Sequence, residues 1–145
     1  MNTKTTLKAV TIALAFGGGN AMAADWQAAG IAGERLAVYV DAAAGQRVNV
    51  GVIRVDALED FGRVQFLDGQ SQGHRSRAST LIVDCGSRQV GFDAWRLHEG
   101  ARGEGKVVSR WESQGRIAMF QPVPGSSQAR VLERSCSGPV VAAAE

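Results

Sequence analysis

The chain has 145 residues, enough for one domain, and its 45% hydrophobic and 21% charged content excludes a disordered chain. Lys and Arg number 16 against 14 Asp and Glu, a formal charge of +2. Two of these cations, Lys4 and Lys8, belong to a leader, and the rest balance at 14 against 14, which argues against charge-driven nucleic-acid binding.

The N-terminus has the layout of a secretory signal peptide over residues 1–23. Lys4 and Lys8 form the basic region, Ala9 to Phe16 the apolar run, and Ala21-Met22-Ala23 an A-x-A cleavage signal. The apolar run is far shorter than the roughly 20 residues a spanning helix needs. No Cys lies near the cleavage site to carry a lipid, and no later segment is apolar enough to span a membrane. The mature product is expected to be soluble outside the cytoplasm, as a single domain over 24–138 with a flexible tail over 139–145.

The export signal sets the chemistry of the two cysteines. Cys85 and Cys136 are expected to pair in an oxidising compartment, 51 positions apart. Closing a loop of that length contributes roughly 4 kcal/mol by chain-entropy arithmetic. A metal site would need more ligands than two Cys and two distant His, and a redox pair would show C-x-x-C spacing. No cofactor is expected.

Along the mature chain, Trp26 to Gly33 reads as an irregular lead-in. Leu36, Val38 and Val40 alternate with Ala37 and Tyr39, which predicts a strand, and Asp41 to Gln46 predicts a turn. Val48, Val50 and Val52 alternate next, and a phase change after Val52, through Ile53 and Val55, predicts a bulge or a strand buried on both faces. Arg63 to Leu67 predicts a separate short strand ending at Asp68-Gly69.

Gln70 to Arg77 is polar and reads as a loop, and Thr80 to Cys85 as a central strand. Gln89 to Glu99 predicts a long strand that switches faces near Asp93-Ala94. Gly100 to Gly105 is a glycine-rich turn, followed by strands at Lys106 to Glu112 and Ile117 to Gln121. Ser126 or Ser127 then caps a helix that places Ala129, Leu132 and Cys136 on one face, with Gly138-Pro139 as its stop. The fold class is α+β: a sheet of about six strands with a C-terminal helix held through Cys136 to the strand ending at Cys85.

Four groups of residues bear on chemistry. Gly100 to Lys106 matches G-x-x-x-x-G-K, yet Val107 replaces the Ser or Thr that would hold Mg²⁺, and a strand follows where a helix is needed. It reads as a hairpin turn. His74 and His98 have no local signature selecting a nucleophile or carboxylate, so a small hydrolase built on either is the weaker alternative. His74, Arg75 and Arg77 form a basic cluster that could meet an acidic partner or anionic polymer, and they are the candidate contact residues. Trp26, Trp95 and Trp111 read as core or core-edge residues, and a ligand carrier with Trp95 or Trp111 lining a cavity between sheet and helix is a further alternative.

The early Trp26, Val38-Tyr39-Val40-Asp41, the run Ser76 to Cys85, Gly100 to Gly105, Pro122 to Ser126 and Ser135-Cys136 together carry a resemblance. Over about Asp25 to Gly138 the chain resembles the surface-adhesin protein E-like family of proteobacterial exported proteins. Members show an early Trp, a Y-x-D strand end, an Asp-Cys strand end, a G-x-G turn and a late Cys. The resemblance implies an antiparallel sheet with a C-terminal helix tethered by a disulfide. It also implies a non-enzymatic protein in the periplasm or on the surface of a Gram-negative cell. Its partner would be an envelope component or a host matrix protein. Separately, an unpaired sheet edge leaves the protein a monomer or a homodimer.

Overall fold

The computed structural model describes residues 24–41 and 45–137; the expected leader, the stop at Gly138-Pro139 and the tail lie outside the described residues. Among the described residues seven strands precede one helix: β1 (Trp26–Ala32), β2 (Leu36–Asp41), β3 (Gln46–Asn49), β4 (Val52–Gln65), β5 (His74–Asp84), β6 (Gln89–His98), β7 (Val107–Glu112) and α1 (Ser127–Cys136). The strands form one antiparallel sheet in the order β1-β2-β4-β5-β6-β7, with β3 paired to the start of β4. A 3₁₀ turn over Ala101–Gly103 sits between β6 and β7.

The sheet has two unlike faces because its strands alternate. Val38 and Val40 of β2, Ile53, Val55 and Ala57 of β4, Leu81 and Val83 of β5 and Val90 of β6 are all buried on one face. Helix α1 lays Val131 and Leu132 onto that layer, making a single core. Burying a side chain of Leu size contributes about 2 kcal/mol. The helix starts where the sequence places it: Ser126 is the N-cap, and its Oγ accepts the Ala129 N–H at 3.2 Å. It ends on the Cys85–Cys136 disulfide, with Cα atoms 5.6 Å apart. Sheet, helix and tether are those expected.

Several local expectations are corrected. The supposed lead-in is the outer strand β1; a register shift between Ala28 and Gly30 interrupts its alternation, which hides it from a period-two search. The phase change at Val52 comes from the hairpin between β3 and β4, where Gly51 takes a φ of 70° and the regular alternation of β4 starts at Ile53; the register shift of this pair lies in β3, between Arg47 and Asn49. Arg63 to Gln65 is the end of the 14-residue β4, not a separate strand. The polar stretch before Thr80 is already β5 from His74 onward, because every second residue there turns inward. Ile117 to Gln121 makes a single bridge, Phe120 to Val90, in place of a strand. The bulge expected near Asp93 is present: Leu81 pairs with Phe92 and Thr80 with Ala94, leaving Asp93 as the extra residue.

Candidate functional site

The face of the sheet away from α1 is only partly covered. Partners across an antiparallel ladder share a face, so Tyr39, Leu58, Ala78 and Arg96 make one row and Asp56, Thr80 and Ala94 the next. Two segments close the ends of this face. The 3₁₀ turn sits over Leu58, held by Ser76, whose Oγ donates to the Gly100 carbonyl (2.6 Å) and accepts the Gly103 N–H (2.8 Å). At the other end, Ile117 and Met119 cross so closely over Gly91 that a Cβ there would lie 2.4 Å from Ile117 Cγ2.

Between these covers lies a cleft of about 200 Å³ bordered by Trp26, Asp41, Asp56, Thr80, Ala94 and Arg96. A smaller one of about 110 Å³ adjoins it under Trp26, Tyr39, Leu58 and Arg102. Trp26 belongs to both and is 36% exposed. The floor is made of short side chains, so the aromatic rings and charged ends stand above it. Asp56 is oriented by the Thr80 hydroxyl, which donates to Oδ1 at 2.7 Å. Asp41 Oδ1 accepts the Asp25 N–H at 3.1 Å, which ties the start of the described chain to the wall of the cleft. This combination of aromatic surface, both signs of charge and a shallow floor suits recognition of a flat polar-and-apolar surface.

The basic residues singled out from sequence are spread apart by the strand they occupy. His74 is buried, with its ring edge-on to Phe61 at 5.5 Å. Burial, and secondarily the Arg77 cation, hold its pKa below the usual histidine value. Arg77 turns into the protein, where it makes a two-point ion pair with Glu59 and lies 5.4 Å over the Phe92 ring. Arg75 alone of the three is exposed.

His74 Nδ1 and His98 Nδ1 are both buried with no hydrogen-bond partner among the described residues. The Gly100 to Lys106 segment is a turn, as expected: the Gly100 N–H donates to the Glu104 carbonyl at 3.0 Å, and the chain then enters β7. Trp95 and Trp111 stand opposite each other across β6 and β7, and Trp111 is 42% exposed. Of the expected core or core-edge positions, Trp26 takes the edge. The outer position of β1, not any local motif, is what leaves its ring in solvent.

The family model for surface-adhesin protein E matches residues 26–137. Crystal form II of Haemophilus influenzae protein E superposes with a TM-score of 0.51 at 13% identity, covering 69% of this chain and 80% of that one. The selenomethionine form of the same protein gives 0.51 at 14% identity, over 70% and 79%. Identities this low speak to the fold alone. No curated protein matches the chain in sequence at a significant level. No helix among the described residues is long and apolar enough to cross a membrane. The family match runs from the first strand to the end of the helix, and on it the chain belongs to the surface-adhesin protein E family.

Proposed function

We propose that the protein is a non-enzymatic, exported binding protein of the Gram-negative envelope. Its partner is a protein, either a host matrix protein or an envelope component, and the open face of the sheet is the contact surface. The observation that carries this reading is the exposed Trp26 beside Tyr39, set above a floor of Ala78, Thr80 and Ala94 and flanked by Asp41, Asp56, Arg96 and Arg102. Tryptophan, tyrosine and arginine are the residues that most often dominate protein–protein contacts. Family membership supports adhesion as the activity, and the layout of residues 1–23 supports export. Of the basic trio only Arg75 is exposed, and strand alternation puts it on the α1 side, apart from this contact surface.

Two experiments test the reading. Purified protein is titrated onto immobilised matrix proteins and onto solubilised envelope fractions, alongside Trp26→Ala and Arg96→Glu. Binding that falls at least tenfold in both variants, with unchanged thermal stability, supports the open face. Binding that neither variant alters rules that face out. Protease treatment of intact and permeabilised cells then separates the two partner classes. Digestion on intact cells favours a host protein, and protection until permeabilisation favours an envelope component.

A further inference from the structure

The open face carries its charges in two parallel rows. Arg96 stands opposite Ala78 on one side and opposite Arg110 on the other, so the row through Tyr39 and Leu58 ends in two arginines on neighbouring strands. The next row runs through Asp56, Thr80, Ala94 and Glu112. Rows two residues apart lie about 7 Å from each other. Like charges directly opposite each other weaken a sheet. Arg96 and Arg110 nevertheless stand so, both exposed, and neither guanidinium has a hydrogen bond or ion pair among the described residues.

A third arginine joins them from above the sheet. Arg102 is exposed, borders the cleft under Trp26 and Tyr39, and its guanidinium is likewise without an acidic partner among the described residues. Its φ of 56° lies in the left-handed region. Glycine takes that conformation freely and arginine does not. Glycine stands at the left-handed positions that follow, Gly103 and Gly105. The bonds from Ser76 to Gly100 and Gly103 hold the turn in place. A strained backbone that keeps a charged side chain over a cleft points to a use for that side chain.

We propose that Arg96, Arg102 and Arg110 together bind an acidic segment of the partner protein, taking up its Asp or Glu carboxylates. The inference rests on the open face being the contact surface. A guanidinium meets a carboxylate at two points, and three of them spread over the face match carboxylates spaced along one segment. The row of Asp56 and Glu112 favours a protein over a polyanion. A sulfated polysaccharide or a nucleic acid carries negative charge throughout, and its flank would lie against those carboxylates. A folded partner sets basic residues there and acidic ones over the arginines.

Titration calorimetry with hexaglutamate as the probe, at low salt, tests this. The peptide is expected to bind saturably, to weaken as salt is raised, and to lose its binding when its residues are changed to glutamine. Arg102→Glu and Arg110→Glu are each expected to weaken it about tenfold or more. Arg75→Glu makes the same change of net charge on the α1 side and is expected to stay within about twofold. Arg102→Gly removes the side chain and the backbone strain together, so affinity is expected to fall while the thermal midpoint does not. No saturable binding of hexaglutamate overturns the proposal. So does binding that the Arg102 and Arg110 reversals leave unchanged, or that Arg75→Glu weakens equally. A heparin-derived hexasaccharide that binds more tightly than hexaglutamate overturns it as well. The peptide titration needs no natural partner, so these failures leave the open face standing as a contact surface. Partner binding that ignores Trp26→Ala removes that surface, and this inference with it.

Discussion

Glu59 and Ser127 lie 68 residues apart in sequence and share a buried hydrogen bond, in which the Ser127 hydroxyl donates to the Glu59 carboxylate. The same carboxylate takes a two-point ion pair from Arg77 on β5. One acidic side chain in the middle of the sheet therefore fixes the neighbouring strand and the first turn of α1 together. The far end of the helix is fixed covalently at Cys136.

Glu59→Gln removes the charge that Arg77 needs while keeping the shape. Breaking a largely buried pair from one side leaves the other charge uncompensated, and with Arg77 partly exposed a loss of about 2 kcal/mol is expected. Urea unfolding measures it. Replacing Glu59 and Arg77 together by Leu should cost less than the two single changes added, which a double-mutant cycle reads directly.

Removing the tether should cost more. Replacing Cys85 and Cys136 by Ala frees a loop of 51 residues in the unfolded chain, worth roughly 4 kcal/mol. The expected result is a large drop in thermal midpoint that a reducing agent reproduces in wild type and does not deepen in the variant.

His74 makes stability depend on pH. Its folded pKa is lowered from the ordinary 6.5, so below about pH 6.5 the unfolded chain takes up the proton more readily than the folded one. The stability present above pH 6.5 is lost as pH falls through that value, and the loss levels off beneath the folded pKa. Unfolding free energies from pH 7.5 to pH 5 should show this slope in wild type and a flatter one in His74→Phe. Equal slopes would count against the assignment.

Gly91 is a position where a side chain has no room. A Cβ would meet Ile117 Cγ2 at 2.4 Å, Met119 Sδ at 2.8 Å and the Ala118 carbonyl at 3.0 Å. Gly91→Val should push the 117–119 segment off the open face at a cost of about 1–3 kcal/mol. Urea unfolding should register the loss.

Much of the architecture was legible in sequence. The alternation of Val38 and Val40, the run of β-branched residues before Cys85, the caps at Ser126 and the cysteine spacing each carry their own physical signal. What stayed hidden depended on long-range pairing. β1 has little apolar periodicity of its own and becomes a strand only by pairing with β2. The start of β5 is polar in composition, yet His74, Ser76 and Arg77 turn inward to partners at Phe61, Gly100 and Glu59. Arg77 was legible as a cation but not as half of an internal pair, since its partner lies on another strand. The open face was not legible at all. It exists because α1 returns to the opposite side, and no local pattern reports which side a distant helix will take.

The position of the tether sets when the fold can be completed. A chain threaded through a membrane emerges N-terminus first, so the strands from β1 to β7 clear the barrier before Cys136 does. The sulfur bond that clamps α1 can close only after nearly the whole polypeptide has arrived in an oxidising space. Before that moment the chain lacks the covalent link between Cys85 and Cys136. Maturation is then locked at the destination and not at the site of synthesis.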